Sequence, residues 1–491
     1  METFTICYSG TDCFLDQALV LREPREMESY NTSSGYIPSK VHNQLSAGQH
    51  PHPISVTLNG CGAPYNQTCD LLPVRVWRVR TTPGDDVTPP EEYTECSLAP
   101  KEGLDSLAGQ SVEIIAIAGI AEMLGVTLHL VPKGDLDQIK EHWDNDKAMG
   151  YSQNDLAFPQ VNSRWNNTEQ STAGHYCLRW NEQDNETISR FLQTFNAVAL
   201  VGHSRGGVAC LIAANYLSEW FQALSIKIVA LDPVPGTGNW WDCLTHIPAT
   251  ANMEYVGIYA IDETSAGFNG VVPKVKGVDQ NSEELKIWDP LDPNSSGDGI
   301  RGWNTSSYEL IYTRGRHATV PGSRSCYGRG ESDPIDDNVG ASGNLANAYT
   351  IKKLVQWGVP LVAVAKPLVE QWIVAMNGAS NHFKEMRNYN YGPANALGKV
   401  NGFFFYNARG ISSTSGRNSN NWNYLEAFIV YATDQVAVKD YGGPQNQDPE
   451  TINNQRGLID MGVRNKYFGR YGGTGNVHPW VYLGDKLANY G

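Results

Sequence analysis

Apolar residues along this chain fall into two alternating patterns. Short runs at 4–8, 54–58, 196–201, 226–231, 255–261 and 308–312 are rich in β-branched and aromatic residues, and each ends in a loop bearing Gly, Pro, Asp or Asn. They predict strands. Between and after them, apolar positions return every three or four residues over 106–124, 188–195, 208–217, 344–357 and 362–376, the spacing of a helix face. Strand and helix in repeated succession predict an α/β architecture, a mostly parallel central sheet with flanking helices, because parallel strands need a crossover and the crossover helix covers the sheet.

Three stretches interrupt the pattern. Residues 20–100, 130–180 and 233–310 turn polar, aromatic or rich in Gly, Pro and Asn, and read as insertions that build a lid or cap. The core is expected over 1–360, with 361–491 as a C-terminal extension packed on it as lid or substrate-binding surface. With 41% apolar residues the chain can bury a sizeable core, while 48 glycines and 26 prolines imply many ordered loops.

One junction between the two patterns carries chemistry. The run 196–201 ends at Gly202-His203-Ser204-Arg205-Gly206, and helical spacing resumes at Val208, Leu211, Ile212 and Leu217. A serine at the apex of a sharp strand-to-helix turn is lifted clear of the sheet, and the flanking glycines let the turn close. The amide of Arg205 opens the helix, whose positive end faces an oxyanion forming at Ser204. A second oxyanion amide is expected from the loop after the first strand, Ser9-Gly10-Thr11-Asp12, with Thr11 and Asp12 as candidate donors. The Arg205 side chain reads as solvated or salt-bridged.

A serine hydroxyl becomes a nucleophile near neutral pH when an imidazole takes its proton, and the imidazole needs a carboxylate to fix its tautomer. Asp232 ends the run 226–231, about 28 residues beyond Ser204, which is one right-handed crossover and brings it to the same sheet edge. His317 follows the run 308–312 through a glycine-bearing loop. Ser204, Asp232 and His317 therefore keep the order nucleophile, acid, base. Asp262 and Asp289 are alternative acids. His246, His382 and His478 also follow Ser204, and His478 is the competing base, whereas His203 sits inside the turn as a packing residue that points away from Ser204.

A net charge of −15 argues against nucleic acid as a partner, since neutralising phosphates takes clustered Lys and Arg. It leaves any membrane contact peripheral, apolar and local. Nine cysteines lack Cys-x-x-Cys spacing, and the Asp-rich segment 289–299 lacks the spacing of a calcium loop, so neither metal nor cofactor is expected. No apolar run reaches the ~18 residues of a membrane span. The first residues begin a strand at once rather than a leader, so the chain is expected in the cytoplasm of the producing cell.

Several of these motifs together resemble one family. They are the opening strand with Ser9-Gly10-Thr11, the loop Asn59-Gly60-Cys61-Gly62, Gly202-His203-Ser204-Arg205-Gly206-Gly207, Leu231-Asp232-Pro233-Val234, Ala260-Ile261-Asp262-Glu263 ahead of Phe268, and Gly315-Arg316-His317. In this order, over about residues 1–360, they resemble the bacterial and fungal serine hydrolases of the α/β-hydrolase fold that include the phospholipase effectors of type VI secretion (the Tle lipases). The resemblance implies a Ser204, Asp232, His317 triad that cleaves ester bonds of membrane phospholipids without a cofactor. It also implies export without a signal peptide, with a secretion-apparatus protein and an immunity protein as partners. The chain departs from the family at His203, where Phe is usual, and in a shorter glycine run after His317. Two other readings are a hydrolase of non-lipid esters and a non-catalytic binding protein on the same fold.

Overall fold

Seven strands, all parallel, form the central sheet of the computed structural model. They are β1 (Glu2–Tyr8), β2 (Ser55–Leu58), β3 (Phe195–His203), β4 (Ser225–Leu231), β5 (Met253–Ala260), β6 (Tyr308–Thr313) and β7 (Val481–Tyr482). Across the sheet they run β7-β6-β5-β4-β3-β1-β2. The structure describes residues 2–11, 13, 36–61, 74–78, 91–94, 111–132, 156–157, 174, 176–235, 246–250, 252–260, 270–290, 295–322, 337–379, 382–383 and 481–488. Six of the seven strands coincide with the apolar runs. Those at the centre, β3, β4 and β5, are buried almost end to end, as expected of a parallel sheet covered on both faces.

The covering helices are α1 (Ile37–Ser46), α2 (Val112–Leu124), α3 (Asn185–Thr194), α4 (Arg205–Trp220), α5 (Asp337–Gln356), α6 (Lys366–Gly378) and the short α7 (Leu483–Leu487). Side chains alternate across β1, so its odd and even positions report the two faces. Tyr8 donates its hydroxyl hydrogen to the Ala116 carbonyl at 2.8 Å, which puts α2, and α4 packed against it, on one face. Thr3, of opposite parity, donates to the Trp357 carbonyl at 2.7 Å just past α5, and Thr57, level with Cys7, meets His42 of α1 at 2.9 Å. These two helices lie on the other face.

This division follows from handedness. The chain leaves β1 through α1 to reach β2 on one side, and leaves β3 through α4 to reach β4 on the other. Right-handed crossovers running in opposite directions must lie on opposite faces. The two connections therefore diverge between β1 and β3, at the carboxyl ends of those strands, the topological switch point of the sheet.

Some elements were not legible as periodicity. Strands Glu91–Thr94, Val74–Arg78, Leu128–Pro132, Tyr176–Asn181 and Leu156–Ala157 form a second sheet in that order. In sequence, Val74-Arg75-Val76-Trp77-Arg78 is broken by charged residues at 75 and 78, keeps no regular period and does not stand out as a buried run. Its strand touches α2, which explains why α2 is apolar all round and buried on nearly every side. A three-stranded sheet of His246–Pro248, Lys274–Val278 and Leu285–Trp288 lies within the expected insertion 233–310. Helix α5 begins seven residues before the apolar spacing at 344, because its first turns carry small residues: a Cβ added at Gly343 would sit 2.7 Å from the Thr319 carbonyl. Residues 481–488 add β7 beside β6, and Lys486 of α7 pairs with Glu309 of β6 at 2.7 Å. No helix among the described residues is long and apolar enough to cross a membrane.

Candidate active site

Ser204 stands between β3 and α4 with φ 56° and ψ −124°. That is the conformation of the first central residue of a type II′ turn, which glycine usually fills, and a side chain there costs ~1–3 kcal/mol. The surrounding backbone holds it in place. Its amide donates to the Leu231 carbonyl at 3.0 Å, and its own carbonyl accepts from the amides of Val208 at 3.1 Å and Val234 at 3.2 Å. The glycines beside it are required by contact. A Cβ at Gly202 would lie 2.1 Å from the Gly206 carbonyl oxygen, and one at Gly206 would lie 2.1 Å from the carbonyl oxygen of Tyr8. The loop after β1 thus sits directly on the serine turn.

Asp232 immediately follows β4, level with the serine because His203 pairs with Leu231 in the register of β3 and β4. It too has a positive φ, 44°, and its side chain is fully buried. Among the described residues only Ser204, Asp232 and Glu283 combine a positive φ with a side chain. Two of these three are residues expected to do chemistry, and strained backbone of this kind gathers at functional sites. The Asp232 carboxylate accepts from the Ala260 amide at 3.1 Å through Oδ1 and from His317 Nδ1 at 2.6 Å through Oδ2. The short second bond puts the hydrogen of the neutral imidazole on Nδ1 and leaves Nε2 as the basic nitrogen.

His317 is carried on a tight turn beyond β6. The Arg316 amide donates to Thr319 Oγ1 at 3.0 Å, and the Thr319 amide returns to the Arg316 carbonyl at 2.9 Å. The start of α1 clamps this turn, with the Ile37 amide donating to the Pro321 carbonyl at 2.8 Å. The His317 ring lies against that of His203, the residue preceding Ser204, at a centroid separation of 4.6 Å. Serine turn, carboxylate and imidazole thus lie at one rim of the sheet, at the carboxyl ends of β3, β4 and β6.

Thr11 is also drawn to this rim, since Arg205 Nη1 donates to its Oγ1 at 2.8 Å. The Arg205 side chain, expected to be solvated or salt-bridged, is buried rather than solvated. Asp12, the alternative acid Asp262 and the alternative base His478 lie outside the described residues. Asp289 is engaged elsewhere, paired with Lys274 at 3.2 Å in the three-stranded sheet. His246 opens that same sheet, and its carbonyl accepts from Asn215 of α4 at 2.8 Å. His382 follows α6.

One residue at the rim escaped the sequence reading. Tyr36, in a polar stretch without periodicity, accepts the Gly10 amide hydrogen at 2.6 Å and meets His203 Nδ1 at 3.4 Å. His203 Nε2 in turn donates to the main-chain carbonyl of His317 at 3.2 Å. Burial, reinforced by the neighbouring His317, holds the His203 imidazole well below the usual histidine range, and it is neutral at physiological pH.

No protein-family model matches the chain, and neither does any curated protein. Among solved structures it is similar to an uncharacterized protein from Pseudomonas aeruginosa, at 12% identity and a TM-score of 0.36, over 94% of this chain and 62% of that one. The chain thus spans less than two thirds of that protein's length.

Proposed function

We propose that this chain is a serine hydrolase of the α/β-hydrolase fold that cleaves carboxylic esters through an acyl-enzyme. The observation that carries the reading is the Asp232–His317 hydrogen bond at 2.6 Å, at the same sheet rim as a serine held in a glycine-like turn. In this mechanism Ser204 Oγ attacks the ester carbonyl carbon as its proton passes to His317 Nε2, and Asp232 stabilises the imidazolium. The oxyanion is held at the amide of Arg205, the first residue of α4, and at the loop of Thr11. Losing one such donor costs ~10²–10³ in rate. The intermediate collapses as His317 returns the proton to the leaving alcohol. Water then adds to the acyl-enzyme by the same route in reverse, and releases the acid and a restored Ser204. No metal or cofactor enters these steps.

The motif resemblance extends the proposal to phospholipids as substrate, to the insertions and residues 361–491 as lid and substrate surface, and to an antibacterial effector exported without a signal peptide. Its partners would then be a secretion-apparatus protein and an immunity protein. A fluorophosphonate probe should label the wild type and not Ser204→Ala, and that variant should lose hydrolysis of p-nitrophenyl butyrate. Full esterase activity in Ser204→Ala rejects the proposal. A wild type that neither reacts with the probe nor turns over any ester points instead to the binding-protein reading. Comparing soluble esters of rising chain length with phospholipid vesicles separates a phospholipase from a hydrolase of other esters.

A further inference from the structure

Three segments far apart in sequence meet at His203, and its ring has a specific bond to each side. From the loop after β1, the Gly10 amide donates to Tyr36 Oη at 2.6 Å. The Tyr36 hydroxyl hydrogen is then directed at His203 Nδ1, 3.4 Å away, and the two rings pack edge to face with centroids 5.8 Å apart. On the far side His203 Nε2 reaches the main-chain oxygen of His317 at 3.2 Å. A carbonyl can only accept, so Nε2 carries the hydrogen, and in a neutral ring Nδ1 is then the acceptor that Tyr36 needs. The donor directions agree along the whole chain: Gly10 amide to Tyr36, Tyr36 to His203, His203 to the His317 carbonyl.

The ring is also a spacer. A Cβ placed on Gly10 would lie 2.6 Å from His203 Nδ1, so the backbone of the β1 loop rests on the imidazole. On the other side the His317 ring packs on it at 4.6 Å. We infer that His203 is a positioning residue that sets the distance and tilt between the loop of Gly10 and Thr11 and the loop of His317, on either side of Ser204. The inference rests on the serine-hydrolase reading of the site. It assigns His203 no contact with substrate and no proton transfer to it; its effect runs through the two loops that make those contacts.

The test is steady-state hydrolysis of p-nitrophenyl butyrate by the full chain, with thermal melting of each variant alongside. His203→Phe keeps a ring between the loops and removes both hydrogen bonds, and kcat should fall ~10–100-fold with KM unchanged. His203→Gln restores a donor near the Nε2 position and should recover most of the loss. Tyr36→Phe should lower kcat in the same direction. The double variant Tyr36→Phe/His203→Phe should lose less than the product of the two single losses, because both act through one network. Wild-type kcat in a folded His203→Phe, no recovery by His203→Gln, or losses that multiply in the double variant would overturn the inference. Should His203→Phe not fold, Tyr36→Phe decides: kcat must fall without a rise in KM. Ser204→Ala separates the two claims. If it is active, the reading of the site falls; if it is inactive while His203→Phe matches the wild type, only the role of His203 falls.

Discussion

Replacing Asp232 by Asn should disable the site for a reason visible in its hydrogen bonds. The native carboxylate accepts from the Ala260 amide at 3.1 Å and from His317 Nδ1 at 2.6 Å. An Asn side chain has one oxygen and one NH₂. The Ala260 amide is fixed by the backbone and can only donate, so it takes the oxygen and turns the NH₂ toward His317. The imidazole then has to accept at Nδ1 and carry its hydrogen on Nε2, the tautomer that cannot take a proton from Ser204. The opposite orientation sets the NH₂ against the Ala260 amide, a buried donor left unmade, at a cost of ~2–3 kcal/mol. In either orientation the charged acceptor is lost, and with it ~1.5–3 kcal/mol of imidazolium stabilisation. Together these come to ~3.5–6 kcal/mol, or a fall of about 300- to 20,000-fold in kcat at about 1.4 kcal/mol per decade. Asn tolerates the positive φ of 44°, so the fold should survive. The assay is kcat for p-nitrophenyl butyrate with the circular dichroism melt as control. A folded Asp232→Asn within tenfold of wild-type kcat refutes the assignment of Asp232 as the acid.

Gly206→Ala should destabilise the chain by about 3 kcal/mol or more, because its Cβ would fall 2.1 Å from the Tyr8 carbonyl oxygen and neither backbone can give way cheaply. An unchanged urea midpoint would contradict that contact. Glu309 on β6 gives a pH prediction. Burial alone would push its carboxyl up, but Lys353 at 2.9 Å, Lys486 at 2.7 Å and the Tyr349 hydroxyl outweigh burial and hold it at about 2. A pKa depressed by folding contributes stability above the unfolded value near 4.5, and the contribution is lost as pH falls toward 2. The contribution is on the order of 3 kcal/mol, and Glu309→Gln should remove this part of the acid dependence, read as urea midpoints at pH 7 and pH 3.

The rim residues were legible because each stands within a few residues of the end of an apolar run. Ser204, Asp232 and His317 follow strands β3, β4 and β6, and a parallel sheet brings all such ends to one side. What joins them was not legible. Tyr36 and Gly10 meet His203 only because α1 folds back over the sheet, and no spacing within residues 20–100 records that. The second sheet was hidden for a different reason. Its strand Val74–Arg78 is interrupted by Arg75 and Arg78 without a regular period, and its strand Leu156–Ala157 is only two residues long, so neither produces a buried run. Strand β7 is equally short and takes its meaning from pairing with β6, 170 residues upstream: Ile311 with Val481.

The strained serine and the carboxylate are parts of one backbone arrangement. Segment 231–234 bonds the Ser204 peptide unit from both sides: the Leu231 carbonyl takes its amide hydrogen and the Val234 amide reaches its carbonyl. Between those two contacts sits Asp232, whose own amide is tied to the Ile258 carbonyl at 2.7 Å and whose φ of 44° turns the chain off the sheet. If Asp232 returned to an extended φ, the Val234 amide would swing away from Ser204, and one of the three backbone bonds that keep the serine at φ 56° would go with it. The cost of two unfavourable backbone conformations, ~1–3 kcal/mol each, is therefore met once, by a shared set of cross-strand bonds. A substitution that relaxes either residue should disturb both, so the loss on altering Asp232 should include a displaced Ser204 as well as a mis-set His317.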